Sequence, residues 1–296
     1  MNRASLYEKK RRPWELFSLA AIYGASYLSL FLLLGMIGYV FFRGFPVLSP
    51  SFFTSVTSYL KGTRGIGGNL VNTLYIIFLT LLTAVPAGVG AGVYLNEYAG
   101  RGRTVRLIEF AVQILAGIPS VIFGLFGMVF FGNVLGLGYS LLSGSLTLSL
   151  MVLPLIVRNT QTALRAVPES YRQGALGMGA GRWYLIRTIL LPAARPGILT
   201  GILLAVGRIM GESAALLFTA GSAGMLPGPG RNVGESLGKL IRKIFASGGT
   251  LTVELYLQMQ NGEYGMAFGI GCVLILFTFL INFLLKLICR SPGERE

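Results

Sequence analysis

The chain has 296 residues, 53% of them apolar and only 12% charged, against roughly 25% charged in an ordinary soluble domain. So few charges over so much apolar surface exclude a soluble globular protein. The formal charge of +14 arises from 25 Lys and Arg against 11 Asp and Glu. On a soluble chain it would point to nucleic acid, but here the positive residues must first be placed relative to the apolar spans. Histidine is absent, which removes the commonest general base and metal ligand. Cys272 and Cys289 lie in or beside the last apolar stretch and offer neither a disulfide framework nor a zinc site. An integral membrane protein with no enzyme chemistry, cofactor or metal is expected, and its 41 glycines suit closely packed membrane helices.

In chain order, a basic tail (1–15) precedes the charge-free run Leu16–Phe42, which is longer than the core of a secretory signal and is expected to stay as a helix. A membrane helix needs about 20 apolar residues. Gly65–Asn96 supplies a second span, and the 48 residues Phe110–Val157 hold two, parted by the turn-rich segment Gly132–Gly138. A fifth span is expected near Gly197–Ala220 and a sixth over Tyr264–Leu285, within an all-α permease domain of residues 16–288. A short tail (289–296) follows. Two loops exceed a simple turn. Residues 168–192 are helical in pattern and predict two short helices broken near Gly179-Ala180-Gly181. The loop 221–262 opens on Gly228-Pro229-Gly230 and then carries Val233, Leu237, Leu240, Ile241 and Ile244 at helical spacing against Lys239, Arg242 and Lys243. That pattern fits a helix lying on the outer leaflet, or a docking element for an external partner. No internal repeat and no linker to a second domain is visible.

With the first helix entering from the inside, sixteen basic residues fall on inner segments, including Arg101, Arg103, Arg106, Arg165, Arg172, Arg182, Arg187 and Arg195. Seven fall on outer ones. This asymmetry predicts both termini in the cytoplasm. Only Arg158 and Arg208 remain within spans.

A charge at the centre of a membrane helix costs about 2.5–3.5 kcal/mol on insertion scales, so each needs a reason. Arg208 is expected at the middle of the fifth span with Glu212 one turn on, on the same helical face. The pair either neutralises itself for packing or lines an aqueous path, where a guanidinium suits an oxyanion and Glu212 tunes its release. Arg158 lies about 9 Å to the cytoplasmic side of the middle of helix four, at 1.5 Å per residue. Alone it could snorkel to the headgroups. Together the two arginines leave a positive excess that favours anions.

Gln173-Gly174-Ala175, Gly179, then Ile189-Leu190-Leu191-Pro192 match the spacing of the EAA loop of ABC importer permeases. Such a segment makes physical sense as a helix, a glycine break and a second helix that fit a groove in an ATPase and pass on its closure. Gln173 stands where that loop usually has glutamate, and Gly174 where it has alanine. Gln173 keeps hydrogen bonding and loses the charge. Five further stretches, Gly68–Leu74, Gly92–Tyr98, Gly117–Leu125, Pro154–Arg158 and Arg208–Ala214, together resemble the PstA-type permeases of phosphate-specific ABC importers.

The resemblance implies a type I ABC importer permease fold in a bacterial cytoplasmic membrane, and phosphate as solute. It also implies a sibling permease of PstC type, a PstB-type ATPase dimer and an outer phosphate-binding protein, and it puts Arg158, Arg208 and Glu212 on intramembrane charged positions that bear on phosphate passage. No Gly-x-x-x-x-Gly-Lys-Ser/Thr stretch is present, so energy is expected from a partner. Two other readings stand beside this one. A stand-alone secondary anion carrier or channel would call for inverted repeats or paired broken helices, which are not found; a membrane scaffold in phosphate sensing would leave the charged face structural.

Overall fold

The computed structural model describes residues 13–58, 63–100, 102–224 and 233–289. Five helical stretches are long and apolar enough to cross a membrane, or six if a bent pair is counted as one span. They are α1 (Pro13–Gly44), α3 (Gly67–Val93, extended by a π turn Tyr94–Tyr98), the bent pair α4 (Arg103–Gly117) and α5 (Ser120–Gly127), α6 (Leu141–Arg165), the stretch ending in α9 (Leu191–Met210), and α13 (Tyr264–Cys289). A short helix α2 (Pro50–Thr54) and an antiparallel hairpin, Val56–Ser58 with Thr63–Ile66, join α1 to α3. That hairpin is the one departure from an all-α chain among the described residues.

The centre of the protein is the α3–α6 pair. A methyl group on Gly88 would lie 2.7 Å from Ile156 Cγ2, and one on Gly92 would lie 2.7 Å from Thr160 Cβ. The two backbones therefore approach as only small residues allow. Thr80 and Ser149 hydroxyls cross the same seam, Thr80 Oγ1 donating to Ser145 O (3.3 Å) and Ser149 Oγ to Thr80 O (3.3 Å). Around this seam Ile76, Leu148, Val152, Ile156, Ile209 and Leu216 form the main core. A second cluster, with Leu164, Ala175, Ile186 and Leu190, supports the predicted inner loop, and a third, with Phe52, Ile66, Leu251 and Ile270, supports the opposite end. α1 stands apart, exposed over nearly its whole length. It is held to α13 by Gly44 against Phe268, by Tyr39 edge-on to Phe268 at 5.5 Å and by Cys272 Sγ donating to Val40 O (3.3 Å).

Three expectations from the sequence are corrected. The third span is not straight: Pro119 takes a polyproline-like backbone, its ring bars α-helical geometry at Ile118, and α4 meets α5 at 104°. The fifth apolar stretch is not one helix over Gly197–Ala220: α9 ends at Met210 and α10 (Ala214–Thr219) follows a break at Gly211–Ser213. The inner loop holds α7 (Glu169–Gly177) as expected. Its second half is not a separate short helix, because α8 (Arg182–Tyr184) runs through a π segment, Leu185–Leu190, directly into α9. The expected outer helix is α11 (Val233–Ile244), and a further helix, α12 (Leu251–Gln260), capped by Thr250, occupies the same loop. Gly228-Pro229-Gly230 lies outside the described residues, as do 1–12 and 290–296 of the two tails, whereas residues 13–15 already belong to α1 and Cys289 to α13; the sidedness of the termini stays an expectation.

Gly92→Val is expected to force α3 and α6 apart, at about 1–3 kcal/mol for an overpacked contact. The measurement is the thermal midpoint of the purified protein in detergent, with Gly90→Val as control because a Cβ there meets nothing within 4 Å. Equal midpoints for the two variants would show that the close approach is dispensable.

Candidate functional site

Arg158 projects from α6, two turns before its end, and Arg208 from the last turn of α9. They line one cleft of about 230 Å³, walled by Leu115, Ile118, Phe123, Met151 and Leu155. The cleft lies at the α4–α5 bend, so the Ile118–Pro119 break opens it beside the two arginines. Neither guanidinium makes an ion pair or a side-chain hydrogen bond among the described residues. Two unpaired cations in one apolar-walled cleft are an anion-attracting arrangement, because low-dielectric walls screen their field poorly. A second cleft of about 320 Å³ lies on the other side of α9, against α13, and no charged side chain lines it.

Glu212 is not where the sequence spacing puts it. The i, i+4 relation to Arg208 fails because the helix ends at Met210, and Glu212 follows in the break, with no ion pair to Arg208. Its side chain is buried. Oε1 accepts from the Ala215 backbone N–H (3.1 Å), capping α10, and its main-chain oxygen accepts from Thr252 Oγ1 (2.7 Å) on α12. α10 in turn packs on α5, where a methyl at Gly124 would meet Ala215 Cα at 2.8 Å. Glu212 therefore ties the break beside Arg208 to two elements, α10 and α12, and through α10 to α5.

The EAA-like segment forms a compact projection. α7 ends in a Schellman turn in which Gly179 N–H donates to Leu176 O and Ala180 N–H to Ala175 O, both at 3.0 Å. Gly179 carries φ +82°, a conformation a residue with a Cβ adopts only at a cost. The glycine of the motif is thus a helix terminator. Gln173, Gly174 and Gly179 are exposed, Ala175 is buried beneath them, Ile189 and Leu191 are half-buried and Pro192 is exposed. Tyr171, Leu176, Met178, Trp183 and Tyr184 are exposed on the same segment, Met178 at 85%. An apolar and aromatic surface of this kind has the composition of a protein contact.

Sequence reasoning missed the groups that anchor this projection. Glu97, in the π turn after α3, pairs with Arg172 on α7 at 3.0 Å. The Glu97 hydrogen bond raises the guanidinium's pKa against the burial that lowers it. An acid directly after an apolar span and a base beside Gln173 were visible in the sequence, but nothing there places one against the other. At the opposite end, burial lowers the pKa of Lys243 on α11. Among the described residues no cluster of His, Cys, Asp and Glu could hold a metal ion.

The family described as "Binding-protein-dependent transport system inner membrane component" matches residues 84–291. A Bacillus subtilis (strain 168) protein, the probable ABC transporter permease protein YqgI, is 40% identical over 190 residues, 64% of this chain and 65% of that protein. The phosphate transport system permease protein PstA of Xylella fastidiosa (strain Temecula1) is 37% identical over 178 residues, 60% and 62% of the two chains. PstA 2 of Mycobacterium tuberculosis is 33% identical over 243 residues, 81% and 77%. The chain thus spans just under two thirds of the first two of these relatives. Among solved structures, a bacterial ABC transporter involved in the import of the acidic polysaccharide alginate aligns over 98% of this chain and 100% of its own, with TM-score 0.64 and 17% identity. The inward-facing MetNI methionine ABC transporter aligns over 76% and 93%, with TM-score 0.56 and 20% identity. Such identities speak for the fold alone. The chain belongs to the binding-protein-dependent transport system inner membrane components, as a multi-pass membrane protein with the helical fold of these solved ABC transporter chains.

Proposed function

We propose that the chain is a transmembrane subunit of an ATP-driven importer of inorganic phosphate in a bacterial cytoplasmic membrane. The observation that carries the solute is the cleft holding Arg158 and Arg208 without acidic partners; the similarity to PstA proteins agrees with it. A phosphate oxyanion suits the planar fork of arginine. Weak binding by two staggered guanidiniums, rather than an enclosing cage, permits release.

In this reading an outer phosphate-binding protein delivers the anion to a cavity shared with a PstC-type sibling permease. A PstB-type ATPase dimer grips the surface formed by Gln173, Gly174, Gly179 and the exposed aromatics, with Ala175 buried beneath it as packing and Ile189, Leu191 and Pro192 leading into α9. The chain itself hydrolyses nothing. The basic residues around α7 keep that end cytoplasmic. Glu212 acts through the helix break: by capping α10 and holding α12 it fixes where α9, and so Arg208, ends.

Proteoliposomes containing the chain, its sibling, the ATPase and the binding protein should take up radiolabelled phosphate only with ATP. Uptake driven by an ion gradient without the ATPase would instead make the chain a secondary carrier. Arg208→Gln should reduce uptake at least about tenfold while the complex still assembles, the loss of a charge-assisted contact being worth about 1.5–3 kcal/mol. Near-normal uptake would leave that arginine a packing residue.

Glu212→Gln should keep uptake within about threefold, because the amide oxygen still caps α10. Glu212→Ala should lower the thermal midpoint by the equivalent of about 1 kcal/mol. Abolished uptake in the Gln variant would put the carboxylate charge itself on the path. Gly179→Val must force a β-branched residue into φ +82°, at about 1–2 kcal/mol or more, and should weaken capture of the ATPase in a pull-down. Unchanged capture would remove α7 from the docking surface.

A further inference from the structure

α7 has few attachments to the membrane helices. Ala175 is its one buried residue, and the link back to α6 is only Ala166–Pro168. On its other side Met178–Gly181 leads into α8 and so to α9, and among the described residues its side-chain hydrogen bonds to other elements all come from one residue. Arg172 Nη2 donates to Glu97 Oε1 (3.0 Å) and to Leu164 O (2.9 Å), Nη1 to Val167 O (3.2 Å), and Nε to Glu97 Oε2 (3.5 Å). The guanidinium therefore joins α7, the π turn of α3 and the carbonyl-rich end of α6, where a cation is favoured by the helix dipole. Glu97 is itself held by Asn96, whose amide donates to Oε1 (2.6 Å), and Asn96 accepts from Arg165 Nε on α6 (3.2 Å). Arg172 also pairs with Glu169 (3.1 Å), but that carboxylate is 65% exposed and adds little. The side chains of Arg172 and Glu97 are 15% and 10% exposed, so theirs is the sheltered pair.

We propose that Glu97 and Arg172 are positioning residues that convert displacement of α7 into movement of the α3–α6 pair, and so of the cleft that holds Arg158. The inference rests on reading α7 as the ATPase-docking helix. Each link is rigid. The Arg172 fork is bidentate in type and sheltered, α3 and α6 are locked together by Gly88 against Ile156 and Gly92 against Thr160, and Arg158 lies on α6 only two turns from Arg165. A contact that merely stabilised the fold would need neither the fork nor a partner on a second span. Lysine could supply the charge and three donors, but not the planar fork that engages both oxygens of Glu97 and the two carbonyls at once.

The test uses the full complex in proteoliposomes and measures inorganic phosphate taken up per ATP hydrolysed. Glu97→Gln and Arg172→Lys should still assemble with the ATPase and hydrolyse ATP, while phosphate moved per ATP falls about tenfold, within the range of ordinary coupling energies. The exchange Glu97→Arg with Arg172→Glu restores a pair without the carbonyl contacts and should recover the ratio only in part. If both single variants lower hydrolysis and uptake together with the ratio unchanged, the pair is structural and the inference fails. Should Glu97→Gln not assemble, Arg172→Lys decides by the same ratio. ATP-independent uptake by the unaltered complex would instead overturn the proposed function, whereas a coupled unaltered complex with unchanged ratios in the variants overturns only the positioning role.

Discussion

The close approach of α3 to α6 through Gly88 and Gly92 is the contact on which the rest of the structure depends. In lipid, apolar side chains gain little by leaving the solvent, so helix association rests on van der Waals fit and on interhelical hydrogen bonds. The two glycines supply the fit, and the Thr80 and Ser149 hydroxyls supply the bonds. α9 joins the same unit by the same means, with Gly197 against Ala163 and Gly201 against Asn159. α6 is thereby packed on two sides, which fixes the height and direction of Arg158. A larger residue at any of these glycines would move the arginine as well as the helix.

The breaks matter as much as the packed helices, and each has an identifiable chemical cause. Pro119 ends α4, the left-handed Gly179 ends α7, and the capped turn at Gly211–Ser213 ends α9. The first opens the cleft, the second shapes the projecting surface, and the third sets the end of the helix that carries Arg208. Irregular backbone is tolerated at membrane depth only where protein or a cavity can satisfy it. Here the Glu212 carboxylate and the Thr252 hydroxyl satisfy the break after α9.

Charge is divided unequally between these parts. Glu97, Glu212 and Glu254 are all taken up in internal bonds: Glu97 with Arg172, Glu212 with the α10 backbone, and Glu254 with Gln258 (2.7 Å) and Asn69 (3.4 Å). Arg158 and Arg208 have no such partners among the described residues. The acids brace the scaffold while two cations line the cleft, and the proposed preference for anions rests on this asymmetry more than on the net charge.

The apolar spans, the projecting α7 with its glycine break and the amphipathic α11 were legible in the sequence. Each is a local property, set by the length of a charge-free run, the period of its apolar residues or the conformation only glycine adopts easily. The bend at Pro119 and the end of α9 at Met210 were not legible from hydropathy, which measures solvent preference and is blind to direction. Nor was the place of Glu212, since a spacing of four implies a shared face only if the helix continues. The convergence of Arg158 with Arg208, and of Glu97 with Arg172, belongs to tertiary structure alone: these residues are 50 and 75 positions apart, and only the packing of α3, α6, α7 and α9 brings them together.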